Sequence, residues 1–86
     1  SKNTWSEFIV HPNPNKGNFN VKLKNNSSDR IVLSVYDLSG RIVFNKNYPS
    51  AIDFNENIQL ENIQAGIYML TVFDGDLTQV KRIIVQ

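Results

Sequence analysis

The chain has 86 residues, 41% of them apolar, a formal net charge of +1 and no cysteine. That is enough for one domain with a modest core, and it excludes a disulfide framework, a thiolate metal site and a cysteine nucleophile. The balanced charge gives no reason to expect a polyanion partner, and no apolar run reaches the length of a membrane-spanning helix.

The start, Ser1-Lys2-Asn3-Thr4-Trp5, has no apolar run of the signal-peptide kind. Residues 1–7 read as a linker or frayed start, and 8–86 as the domain. Trp5 to Val10 is a short strand with Phe8 and Val10 on one face. His11-Pro12-Asn13-Pro14-Asn15 follows, and prolines spaced by two cannot occupy a central strand. Lys16-Gly17 completes a turn. Asn18 to Lys24 alternates Phe19, Val21 and Leu23 with polar residues, the period of a half-buried strand. Asn25 to Asp29 is a polar loop holding two overlapping glycosylation sequons.

Arg30 to Asp37 and Arg41 to Tyr48 flank Leu38-Ser39-Gly40, which reads as a hairpin whose turn is closed by Gly40. Ile31, Leu33 and Val35 take the core face of the first arm. In the second arm, Ile42-Val43-Phe44 run consecutively and leave the facing open. Pro49-Ser50 breaks that strand. Ile52 to Leu60 is a weaker strand with Ile58 and Leu60 inward, and Glu61 to Gly66 is a turn with Ile63 beneath it. Ile67 to Phe73 is apolar on both faces, as expected of a central strand partly covered on each side. Asp74-Gly75-Asp76 is a second hairpin turn, and Leu77 to Val85 is the last strand. Asparagine is frequent, and Asn13, Asn15, Asn25, Asn26, Asn55, Asn57 and Asn62 are assigned to turns. No segment shows a helical period. The fold class is therefore all-β, an Ig-like antiparallel β-sandwich of about seven short strands.

The chemistry of a catalyst is missing from this pattern. A nucleophilic serine needs a positioned base, and the only histidine, His11, stands beside a proline. Asp74 and Asp76 suit a hairpin turn better than an acid–base pair or a calcium site. The glycines are scattered singly, so no phosphate-cradling loop is formed. Trp5, Tyr36, Phe44, Tyr48 and Phe73 could stack on sugars if exposed, although in a small sandwich most should pack. Lys22 and Lys24 are the only basic stripe, too little for nucleic acid. The chain thus reads as a non-enzyme with no cofactor and no metal. Lys81-Arg82-Ile83-Ile84-Val85 has two readings: a strand whose edge is guarded by cations, or a linear feature read by a partner.

Taken in order, these segments resemble a known family. Pro12-Asn13-Pro14 with Gly17, the Val-Tyr-Asp-Leu-Ser-Gly-Arg hairpin, Leu60, Gly66-Ile67-Tyr68 and the terminal Lys81 to Val85 are similar to the type A C-terminal sorting domain of the type IX secretion system of Bacteroidetes. The resemblance covers residues 8–86. His11 departs from it, standing where an aromatic residue often precedes the proline.

The resemblance implies an Ig-like sandwich at the C-terminus of a larger cargo. The cargo would enter the periplasm by an ordinary signal, cross the outer membrane through the translocon, and be released or attached to the cell surface by a sortase-like peptidase. Pro12, Asn13, Pro14 and Gly17 match the first motif, Asp37, Gly40 and Arg41 the central one, Gly66 and Tyr68 the third. Gly40, Gly66 and Tyr68 are expected to serve the fold. Lys81, Arg82, Ile83, Ile84 and Val85 are expected to carry recognition by the translocon, with weak self-association possible through edge strands. The alternatives are a small carbohydrate-binding module and a fibronectin-like spacer.

Overall fold

The computed structural model describes residues 7–24, 30–49, 53–75 and 77–86. Seven strands follow in order: β1 (Glu7–His11), β2 (Asn18–Lys24), β3 (Ile31–Asp37), β4 (Ile42–Tyr48), β5 (Asp53–Gln59), β6 (Gly66–Phe73) and β7 (Thr78–Val85). They form two antiparallel sheets, ordered β1-β2-β5 and β4-β3-β6-β7. The all-β sandwich expected from the strand spacing is the fold. Trp5, the sequons at 25–28, Ile52 and Asp76 lie outside the described residues.

Alternation sets the core. Phe19, Val21 and Leu23 of β2, Ile31, Leu33 and Val35 of β3, and Tyr68, Leu70 and Val72 of β6 all turn inward and are buried. Phe54 and Ile58 from β5, Leu60 just beyond it, and Ile83 and Val85 of β7 close the interior. Tyr48 packs edge-on against Phe54 at 5.0 Å between ring centroids, in the T-shaped arrangement that aromatic quadrupoles favour.

A bulge settles the open question in β4. Val35 pairs with Phe44, but Tyr36 pairs with Ile42, leaving Val43 as the extra residue. The slip lets Val43 and Phe44, adjacent in sequence, both pack against the core, while Ile42 is turned out and 51% exposed.

β6 is central as expected, between β3 and β7. Its second face is only partly covered: Met69 and Thr71 are half-buried, whereas Ile67 and Phe73 are exposed. The assignment of Asn55 and Asn57 to turns is corrected, since both lie within β5. Their outward amides accept hydrogen bonds from the Asn20 side chain on neighbouring β2, at 2.6 and 3.0 Å. Turn preference gave way here to cross-strand pairing of amides.

At the start of β6 the Tyr68 hydroxyl donates to the Gln64 carbonyl at 2.7 Å. A tyrosine at this corner bonded to backbone just upstream is the tyrosine corner of Ig-like sandwiches. It pins the β5–β6 connection, in which Ile63 packs on the core and Asn62 takes positive φ.

Candidate functional site

β7 is an edge strand, and an edge strand presents unpaired backbone groups. Half of this edge is closed by the Pro12–Asn15 segment. Having left β1 in the other sheet, the chain crosses over and lies beside β7. The Asn13 amide donates to the Arg82 carbonyl at 2.9 Å, and its oxygen accepts from the Ile84 N–H at 3.0 Å. One residue pair further, the Asn15 N–H donates to the Ile84 carbonyl at 2.9 Å, and the Gln86 N–H to the Asn15 carbonyl at 2.7 Å. Asn13 thus stands in for a strand backbone where its proline neighbours have no N–H to give.

Asn15, which the motif assignment passed over, is buried and fully used. Its side chain accepts from the Gly17 N–H at 2.8 Å and donates to the Pro12 carbonyl at 3.0 Å. The signal for it was available: an asparagine between proline and glycine in a turn-rich stretch. Gly17 has φ of +106°, and a Cβ there would meet Ile63 Cγ2 at 3.1 Å and the Leu60 carbonyl at 3.3 Å. Its own carbonyl accepts from the Leu60 N–H at 2.8 Å.

The five terminal residues divide by face. Ile83 and Val85 are inside the core. Lys81 is half-buried along the sandwich rim, with its Nζ 5.1 Å from the centroid of the Phe8 ring in β1. Arg82 and Ile84 point outward and are exposed. Of the five, two are thus in the core, one lies along the rim, and Arg82 and Ile84 alone are turned outward.

The central motif forms a turn built around one carboxylate. Asp37 Oδ1 accepts from the Ser39 N–H at 2.9 Å, the Ser39 hydroxyl at 2.6 Å and the Arg41 N–H at 2.9 Å. Its Oδ2 pairs with Arg41 Nε at 3.2 Å. The Ser39 hydroxyl above all, and then the Arg41 N–H, hold the Asp37 carboxyl below the ordinary carboxylate range by favouring its charged form. Gly40 closes the turn at φ of +91° with open space around it, so the requirement is conformational alone.

These motifs, scattered along the sequence, meet at one end of the sandwich. Asp37 is opposite Tyr68, Gly66 is opposite Val85, and Tyr36 is opposite Ile42. Pro12–Gly17 lies against the end of β7 and against Leu60 just beyond β5.

The other candidates do not assemble into chemistry. His11 is exposed, in β1. Asp74 is buried and its Oδ1 accepts the Leu77 N–H at 2.7 Å, the work of a hairpin turn. Of the aromatic candidates that are described, Tyr48 is buried and Phe44 half-buried. Tyr36 and Phe73 share an outward face but pair with Met69 and Val32, in different rows of the sheet. No aromatic platform for a sugar is formed among the described residues.

What these observations define is a small Ig-like β-sandwich whose distinctive features lie at its chain end and surface. The family model for the secretion system C-terminal sorting domain matches residues 9–86, and the chain belongs to that family, the type IX C-terminal sorting signals. A signal of this kind works with the secretion machinery and implies export to the cell surface or the extracellular space.

Among solved structures, dimeric latent PorU from Porphyromonas gingivalis is similar over 99% of this chain and 9% of that one, with a TM-score of 0.71 and 17% identity. A Parabacteroides merdae β-glucuronidase, with glycerol in its active site, is similar over 98% of this chain and 13% of that one, with a TM-score of 0.57 and 16% identity. At these identities the likeness is one of fold, and the chain spans only a small part of either protein. Among curated proteins, none matches the chain.

Proposed function

We propose that the chain is the address of a larger exported protein, and that the outward side of β7 is the part the type IX translocon reads. Cargo joined through residues 1–7 would pass the periplasm with the sandwich folded. The domain would then be presented to a sortase-like peptidase as a substrate and not act as a catalyst. The observation that carries this reading is the staple on β7: Asn13 and Asn15 fix the backbone of Arg82, Ile84 and Gln86 from one side. The staple sets the backbone that bears the exposed Arg82 and Ile84 side chains at the chain end. Gly17, Asp37, Gly40, Gly66 and Tyr68 support this end of the fold, and in this reading they act through it.

Deleting Lys81 to Gln86 is a poor test, because it also removes Ile83 and Val85 from the core. A reporter with an inner-membrane signal and this chain at its C-terminus, carrying Arg82→Ala with Ile84→Asn, is the better one. The reading expects the reporter to stay in the periplasm of a type IX-competent strain while the chain keeps its urea midpoint. Export at the parent level would overturn it.

A further inference from the structure

The two outer faces of the sandwich differ in chemistry. The β1-β2-β5 sheet shows water mainly amides and charges, with Lys22, Lys24, Asn20, Asn55 and Asn57 outward and Ile9 of β1 the exposed apolar residue beside Lys22. The β4-β3-β6-β7 sheet does the opposite. Pairing register places Ile84 beside Ile67, and in the next row Arg82, Met69, Tyr36 and Ile42 lie side by side across all four strands. Ile84 and Ile67 are each 38% exposed, and Ile42 51%. Leu38, in the turn held by Asp37, extends the same end and is 70% exposed. Contiguous exposed apolar surface rimmed by polar groups marks an interaction site on a soluble domain. The next row is mixed: Asn45 donates to the Ser34 hydroxyl at 2.7 Å with Thr71 alongside, and Val80, 52% exposed beside Thr71, carries the apolar surface on along β7.

Arg82 is the only charged side chain among the outward positions of these four strands. Among the described residues no outward position of these strands bears a carboxylate, and the Asp37 carboxylate in the adjoining turn is paired with Arg41. We propose that this face, and not β7 alone, is the docking surface, and that its occupant is an apolar protein surface presenting a carboxylate to Arg82. The inference rests on the reading of β7 as the address and names the chemistry of what reads it. Charge complementarity selects the occupant. A cationic surface would oppose Arg82. A second copy docked face to face would leave both arginines without a counter-charge from the described outward positions, none of which is a carboxylate.

The test uses the same reporter in the same strain, with urea midpoints measured alongside. Ile67→Asn and Ile42→Asn, both outside β7, are each expected to lower export about tenfold at an unchanged midpoint. Arg82→Lys should retain most export, and Arg82→Glu should lose it by tenfold or more. Ile9→Asn, exposed on the opposite sheet, should export normally. If the Arg82 and Ile84 double variant is retained but Ile67→Asn and Ile42→Asn export freely, the strand alone is the address and the face proposal is overturned. If that double variant also exports freely, the reading beneath it falls too. Equal loss with Arg82→Lys and Arg82→Glu would overturn the carboxylate, as would a dimer in sedimentation that Arg82→Glu dissociates, which would identify the occupant as a second copy.

Discussion

The Asn13 side chain and the Ile84 backbone, 71 residues apart, are joined as if Asn13 were a strand: its oxygen takes the Ile84 N–H while its amide serves the Arg82 carbonyl. This arrangement converts the first motif into a cover for the last. Asn13→Ala should cost about 1–2 kcal/mol, the net value of two hydrogen bonds, in urea unfolding. Amide hydrogen exchange should show the effect locally. The Ile84 N–H should exchange faster, while the Ile83 N–H, on the opposite side of the strand, should change little.

Neighbouring residues of β7 should respond oppositely to truncation. Ile83 is fully buried and Ile84 is 38% exposed. Ile83→Ala should therefore cost about 2–5 kcal/mol, against less than about 1 kcal/mol for Ile84→Ala. Equal costs in urea titrations would mean that the facing of β7 is misassigned.

The Asp37 turn makes a pH prediction. Its folded carboxyl titrates below the ordinary aspartate value of 3.8. The folded state thus binds fewer protons there, and the turn's contribution is present above the unfolded value and lost as pH falls through the folded one. Asp37→Asn should lower stability at neutral pH and flatten the acid limb of the stability profile below about pH 4. Gly40→Ala should cost about 1–2 kcal/mol with no pH dependence, since only its positive φ is at issue.

Tyr68→Phe removes the hydroxyl that holds the Gln64 carbonyl without emptying the core. A loss of about 1 kcal/mol is expected in the melting curve. A cavity-sized loss would show that the ring position, and not the hydroxyl, secures the corner.

Much of this was legible in the sequence because strands of period two declare their faces. Phe19, Val21 and Leu23 alternate cleanly, and so do Tyr68, Leu70 and Val72. The bulge at Val43 was not legible: three apolar residues in a row are consistent with either facing until the partner strand supplies the register. Asn55 and Asn57 misled because asparagine favours turns, and here a third amide from Asn20 satisfies them across the sheet. The terminal motif was visible as a string of types. Its division into buried, rim and outward residues was not, since that depends on which edge of which sheet it joins. The staple was hidden for the same reason, because nothing local links Asn13 to Ile84.

The folded surface that displays Arg82 and Ile84 is proposed to direct export. Its most direct test is the ratio of surface-exposed to periplasmic reporter for Arg82→Glu with Ile84→Asn, measured beside Ile9→Asn with Lys22→Glu on the opposite sheet. The first pair should be retained and the second exported at the parental level, at matched urea midpoints. Parental export of the first pair, or equal retention of both, would contradict it.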